Sequence, residues 1–328
     1  MAPPDDLTVL RLGTRGGDLA LWQARETARL IVAVHPGVIV DTRVIRTAGD
    51  RVAAAPLTEI EGTGLFTREI ELALLQGAID IAVHSLKDLP TRLPRGLVLA
   101  AVLERADPRD VLVAAPGTRL AGLPPASRVG SSSLRRRAQV LAVCPRVSML
   151  DVRGNVPTRL AKLDRGEYDA LVLARAGLLR LGLDTRVAEV LEPEIVMPAA
   201  GQGALAIEAR EDDVRVRSLL QAIDHRPTRL ATAAERACMA TLEGGCQAPV
   251  GVLATWADGV IAIRGAVAAL RGERTVRFSS ASNAETEADA EAAGVGLAEQ
   301  LLRRGAAEIL AEIRSSSPRS ERRDQGQM

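Results

Sequence analysis

Aromatic side chains are close to absent from this chain: tryptophan, tyrosine and phenylalanine together make up 2% of its 328 residues. That leaves almost nothing on which unpaired bases could stack, so single-stranded nucleic acid is not an expected ligand. A formal net charge of +1 supplies no global field for duplex nucleic acid or an anionic membrane. No apolar run reaches the roughly 18 residues that a bilayer span needs. The opening MAPPDDLTVL has neither the basic region nor the apolar stretch of a secretion signal. Histidine is scarce too: His35, His84 and His225 stand far apart without ligand spacing, so no metal is expected. Three cysteines, an odd number, fit a reducing cytoplasm better than a disulfide framework. Lysine is nearly missing: Lys87 and Lys162 are the only two among 42 basic residues. A chain that uses arginine for almost every cation makes Lys87 stand out.

What is present is enough apolar residue, 47%, to build two or three domains. Strand-like and helix-like runs alternate through the first two thirds, which predicts α/β architecture with mostly parallel sheets. LTVLRLGT reads as a strand, and DLALWQARETARLIVAV as a helix with Asp18 at its N-cap. A long aperiodic stretch over 48–64 reads as a mobile loop. The apolar segment IVMPAAGQGALAIEAR reads as two strand pieces around a glycine turn and could return the chain to the first domain. The expected partition is 6–104 with 200–222 as a discontinuous first α/β domain and 105–199 as the second. A smaller α+β unit over 223–315 and a disordered tail over 316–328 complete it.

Ligands of open α/β sheets bind at the carboxyl ends of strands. Those positions here hold Arg15, Ser85, Lys87 and Asp88, then Ser131, Ser133, Arg135 and Arg136, then Arg153, Arg159 and Arg180. Hydroxyls and free amides at helix N-termini favour anions, and arginine adds a planar fork matched to carboxylates. The pattern predicts a polyanionic ligand larger than one phosphate, and no Gly-x-x-x-x-Gly-Lys-Ser/Thr loop is present to suggest nucleotide chemistry. Among these cations Asp88 is expected to stay ionised, able to balance a developing cation or relay a proton.

The segment EGGCQAPVG (243–251) sets Cys246 in a glycine-flanked turn between a helical and a strand-like run. A lone cysteine is usually a small buried hydrophobe, yet Gly244 and Gly245 clear the approach to this sulfur. Its place beyond a helix C-terminus disfavours a thiolate, which suits reaction with an already activated electrophile. Cys144 and Cys238 read as packing residues.

Taken together, RLGTRGGDLALWQA, GLFTREIELALLQGAIDIAVHSLKDLP, VGSSSLRRRAQVL, DVRGNVPTRLAKLDRGEYDALVLARAGLLRLGL, PAAGQGALAIEAR and EGGCQAPVG resemble the porphobilinogen deaminases, in that family's order. The resemblance implies two type II periplasmic-binding-protein-like α/β domains flanking a cleft, plus a small α+β domain bearing the cysteine. It implies a cytoplasmic, monomeric transferase of haem and other tetrapyrrole biosynthesis. Such an enzyme condenses four porphobilinogen molecules into hydroxymethylbilane on a covalent dipyrromethane primer. By the same resemblance Cys246 carries the primer, and Asp88 is catalytic, stabilising pyrrole and azafulvene cations. Ser85, Lys87, Ser131, Ser133, Arg135 and Arg136 contact the cofactor, and Arg15, Arg153, Arg159 and Arg180 the substrate carboxylates. The chain departs from the pattern at Gly17-Asp18, where many relatives have Ser-Pro, and at Glu59 and Thr63, where some have lysines.

Overall fold

The structure, a computed structural model, describes residues 9–47, 67–242 and 248–315. The expected loop at 48–64 with Glu59 and Thr63, Cys246 with its neighbours in 243–247, and the tail 316–328 lie outside the described residues.

Strand β1 (Val9–Thr14) buries Leu10 and Leu12 completely. Helix α1 (Asp18–Val34) turns Gln23, Ala24, Thr27 and Ile31 inward at helical spacing. Its cap is Gly17 (φ 102°) and not Asp18, which falls in the first turn, where its charge still complements the helix dipole. Then come β2 (Ile39–Val44), α2 (Arg68–Leu75), β3 (Ile81–Ser85) with a short 3-10 turn over Leu86–Asp88, and β4 (Leu97–Val102). A second run follows: β5 (Asp110–Val113), β6 (Arg128–Gly130), α3 (Leu134–Val143), β7 (Ser148–Leu150), α4 (Val156–Asp164), β8 (Ala170–Ala174), α5 (Arg175–Arg180) and β9 (Val187–Leu191). The chain returns through β10 (Leu205–Arg210) and α6 (Val214–Leu220).

These strands form two five-stranded sheets, ordered β2-β1-β3-β10-β4 and β7-β6-β8-β5-β9. Each is wired alike. β1 runs parallel to β2 and β3, and β6 parallel to β7 and β8. In each sheet the strand that has just crossed from the other lies antiparallel to both its neighbours: β10 between β3 and β4, and β5 between β8 and β9. The parallel character expected from the alternation therefore covers two of the four pairings in each sheet, because the crossing strand arrives from the opposite direction. The α/β class holds. The IVMP piece is not a strand. Its Met197 backbone pairs instead with side chains, the carbonyl accepting from Arg135 Nη1 at 2.6 Å and Gln139 Nε2 at 3.1 Å.

The last third is a separate antiparallel meander, β11 (Val250–Ala257), β12 (Val260–Ala268) and β13 (Thr275–Asn283). It packs with α7 (Arg226–Thr241) and α8 (Glu287–Leu301) around Ala234, Cys238, Ile261, Ile263 and Leu297. The two helices approach so closely that a Cβ on Gly294 would sit 2.0 Å from the Ala234 carbonyl oxygen, so only glycine fits. After α8 the helix is interrupted by a π turn at 302–306 containing Gly305 (φ 107°), and resumes as α9 (Ala307–Ser315).

The two crossings run side by side. Leu103 N–H donates to the Leu205 carbonyl (3.0 Å) and Ala106 N–H to that of Gly203 (3.1 Å). Gly203 has a φ of 92° and no room for a Cβ, which would stand 2.3 Å from the Ala106 oxygen. One buried carboxylate ties this junction to the third sheet. Glu235 on α7 accepts from Arg105 Nη1 (2.6 Å) on one crossing, Gly201 N–H (2.6 Å) on the other, and Ala254 N–H (2.7 Å) on β11. Val252 N–H adds a bond to the Pro198 carbonyl at 2.9 Å. The elements on either side of 243–247 are thus both fastened to the second crossing.

Candidate functional site

The junction is where the strand-end residues converge. From the first sheet, β3 ends in Ser85, whose hydroxyl accepts from Gln23 Nε2 at 2.7 Å, and the following turn carries Lys87 and the exposed Asp88. From the second, Ser133 caps α3 by accepting from the Arg136 N–H, and the buried Ser131 hydroxyl accepts from the Ser133 N–H at 3.4 Å. Helix α3 then delivers Arg135 and Arg136, both buried.

Both arginines meet Asp110, the fully buried first residue of β5. Arg135 Nη1 lies 2.7 Å from Asp110 Oδ2, and Arg136 Nη2 lies 2.7 Å from Oδ1. Burial alone would raise the Asp110 carboxyl, but the two guanidiniums outweigh it and hold it well below the usual carboxylate range. The sequence reading did not single out Asp110; its only signal there is an aspartate opening an otherwise apolar strand, DVLV. Gln202 was missed likewise. Its Oε1 accepts from Lys87 Nζ and from Arg136 Nη2, each at 3.4 Å, and its Nε2 donates to Pro108 O (2.7 Å) and Asp110 Oδ1 (2.9 Å).

Lys87 is pushed down to about 8, first by burial and then by Arg136 and Arg135, with Asp88 and Asp110 acting the other way. Arg159 on α4 is pushed down to about 10 by burial and by Arg136 and Arg153, with Asp88 opposing. Its Nε donates to the Gly154 carbonyl at 2.8 Å. Lys87, Asp88, Arg135, Arg136, Arg153 and Arg159 therefore share one electrostatic field. Arg180 closes α5. It donates to the Gly203 carbonyl at 2.6 Å, stacks over Trp22 at 5.5 Å, and is pushed down to about 10 by burial. Arg15 follows β1 at the entry to α1.

His84, the one histidine near the site, is buried on β3 with Nε2 3.3 Å from Glu208 Oε2. Cys144 and Cys238 are buried, as packing residues should be, and burial pushes the Cys238 thiol up to about 12. Among the described residues no group of three or more His, Cys, Asp or Glu could hold a metal, and no helix is long and apolar enough to cross a membrane.

Five cations (Lys87, Arg135, Arg136, Arg153 and Arg159) face two carboxylates (Asp88 and Asp110) in a partly desolvated space. Cations held this way favour the arrival of several carboxylates at once. Two similarly wired sheets with basic side chains gathered at their joint define an α/β protein with a cationic junction between its sheets. The sequence matches the family described as porphobilinogen deaminase, dipyromethane cofactor binding domain, over residues 10–218, and porphobilinogen deaminase, C-terminal domain, over 229–303. The chain belongs to the porphobilinogen deaminase family, transferases of tetrapyrrole biosynthesis. A dipyrromethane carries carboxylate side chains on two pyrrole rings, each with an N–H donor, and the cations at the junction, with the exposed Asp88 as an acceptor, fit it.

Among solved structures, the chain is similar to the VFT2 domain of Bordetella pertussis BvgS at 13% identity, covering 66% of this chain and 87% of that one, with a TM-score of 0.41. It is similar to a putative methionine-binding lipoprotein of Bacillus subtilis at 11% identity, covering 67% and 91%, with a TM-score of 0.40. The methionine-binding protein MetQ matches at 14% identity over 66% and 90%, with a TM-score of 0.43. At these scores the likeness carries no argument, and the sheet order rests on the strand pairings themselves.

Proposed function

We propose that this chain joins four porphobilinogen molecules head to tail on a dipyrromethane held through Cys246, releasing ammonia at each step and finally hydroxymethylbilane. The observation that supports this most strongly is the excess of partly desolvated cations around one exposed carboxylate, Asp88. When bound, the dipyrromethane supplies the terminal pyrrole carbon that is extended. Lys87, Arg135 and Arg136, with Ser85, Ser131 and Ser133, orient its carboxylates. Arg15, Arg153, Arg159 and Arg180 receive those of the incoming substrate.

Asp88 balances the positive charge that develops on porphobilinogen as the amine of its aminomethyl group leaves as ammonia and the methylene carbon stays behind as the electrophile. It then accepts the proton lost when the new carbon–carbon bond forms. Cys246 lies five residues beyond the end of α7 at Thr241. The bonds from Glu235 and Val252 to the second crossing bring both flanks of its segment to the junction, which favours Cys246 as the attachment point. We assign the α/β domains to 6–104 with 200–222 and to 105–199, and the cysteine-bearing domain to 223–315. The protein acts as a cytoplasmic monomer.

The test is product formation from porphobilinogen by the purified protein, followed as hydroxymethylbilane, beside Asp88→Asn. The proposal expects product with the wild type and a large loss with the variant. Equal turnover in both would remove Asp88 from its role.

A further inference from the structure

Gln202 lies on the second crossing between Gly201 (φ 71°) and Gly203 (φ 92°), and its side chain is buried. Its four contacts sort by chemistry. The two amide hydrogens face two acceptors, the Pro108 carbonyl and Asp110 Oδ1, and the amide oxygen faces two donors, Lys87 Nζ and Arg136 Nη2. That arrangement fixes the orientation of the amide, since a flipped one would set donors against donors and acceptors against acceptors. Lys87 belongs to the turn after β3 and Arg136 to the first turn of α3, so a single side chain touches a cation from each sheet.

We propose that Gln202 is a positioning residue for the reaction: its amide sets the Lys87 amine and the Arg136 guanidinium a fixed distance apart, ready for neighbouring carboxylates of the pyrrole chain. This rests on the porphobilinogen deaminase reading above. A carboxylate in this place would neutralise both cations and compete with the ligand. A neutral amide aligns them and leaves their charge available. The donors to Pro108 and Asp110 anchor the amide to the other crossing and to β5, so the spacing is set by the junction itself.

The chain contains only two lysines, so amine reactivity is a clean reporter. Protein as isolated is pulse-labelled with acetic anhydride across a pH series, and Lys87 and Lys162 are read separately by peptide mass. Gln202→Met fills the space but removes an acceptor that favours the charged amine. The Lys87 labelling midpoint is expected to fall by about half a pH unit or more. Gln202→Glu keeps an oxygen toward Lys87 and adds charge, so the midpoint is expected to rise. Lys162 stays fixed in both. The KM for porphobilinogen is expected to rise several-fold in Gln202→Met, with a smaller change in kcat. An unmoved Lys87 midpoint in the variants that fold, or loss of fold in both, would overturn the positioning role. Failure of the underlying reading looks different: the wild type would make no hydroxymethylbilane, while Lys87 would still respond to Gln202.

Discussion

At the end of β3 the first sheet presents Lys87 and Asp88 on a short turn, whereas the second presents Arg135 and Arg136 on the first turn of α3. The arginines are tied to a buried counter-charge, Asp110, at 2.7 Å each. Lys87 has a neutral amide at 3.4 Å and cations nearby, and it is pushed down to about 8. Two sheets with the same wiring thus handle charge in opposite ways. The second sheet ties two guanidiniums directly to one buried carboxylate; the first holds its amine through a neutral amide, with the exposed Asp88 beside it. Topology fixes where these groups meet, and their local partners decide how much positive charge each presents.

Four changes would break or sharpen that comparison. The largest effect is expected for Asp110→Leu, which strands two buried guanidiniums. Breaking a buried pair in this way costs about 3–5 kcal/mol of stability, measurable by urea unfolding. The same carboxylate gives an acid limit. Because its folded pKa is depressed, its contribution is fully present above the usual aspartate value near 4. It is lost as pH falls below that, so unfolding midpoints should drop on the acid side and Asp110→Leu should flatten that dependence.

Next, Asp88→Asn should lower kcat by about 10²–10³, the usual effect of removing one preorganised electrostatic contact, with little change in urea stability because Asp88 is exposed. Arg159→Leu should come third. Losing one charged hydrogen bond to a substrate carboxylate raises KM by about tenfold, read from initial rates, with kcat less affected. The smallest effect on the fold is expected for Lys87→Met. Removing an amine that burial and Arg136 already disfavour in its charged form should leave urea stability equal or slightly higher, while primer retention falls. A large loss of stability there would erase the contrast between the two sheets.

Much of this was legible in the sequence, for physical reasons. The strand-to-helix alternation and the polar residues at strand ends located Ser85, Lys87, Asp88, Ser133, Arg135 and Arg136, because parallel strands end on one side of their sheet. Asp110, Gln202 and Glu235 were not legible. Each acts through partners at least 19 residues away (Glu235 to Ala254, Asp110 to Arg135, Gln202 to Lys87), and no local spacing encodes such contacts. IVMP looked like a strand because it is apolar. Its backbone is claimed by Arg135 and Gln139 from α3 and by Val252 from β11, which periodicity does not reveal. Asp18 lost the cap position to Gly17 because the turn there needs a positive φ.

The central claim is that the cationic junction exists to hold a polypyrrole fixed to Cys246 while Asp88 serves each condensation. Intact-mass measurement of the purified protein tests it most directly. The wild type should carry the added mass of two linked pyrrole units, Asp88→Asn should retain it, and Cys246→Ser should lose it. An active wild type of unmodified mass, or the same added mass on Cys246→Ser, would contradict the account.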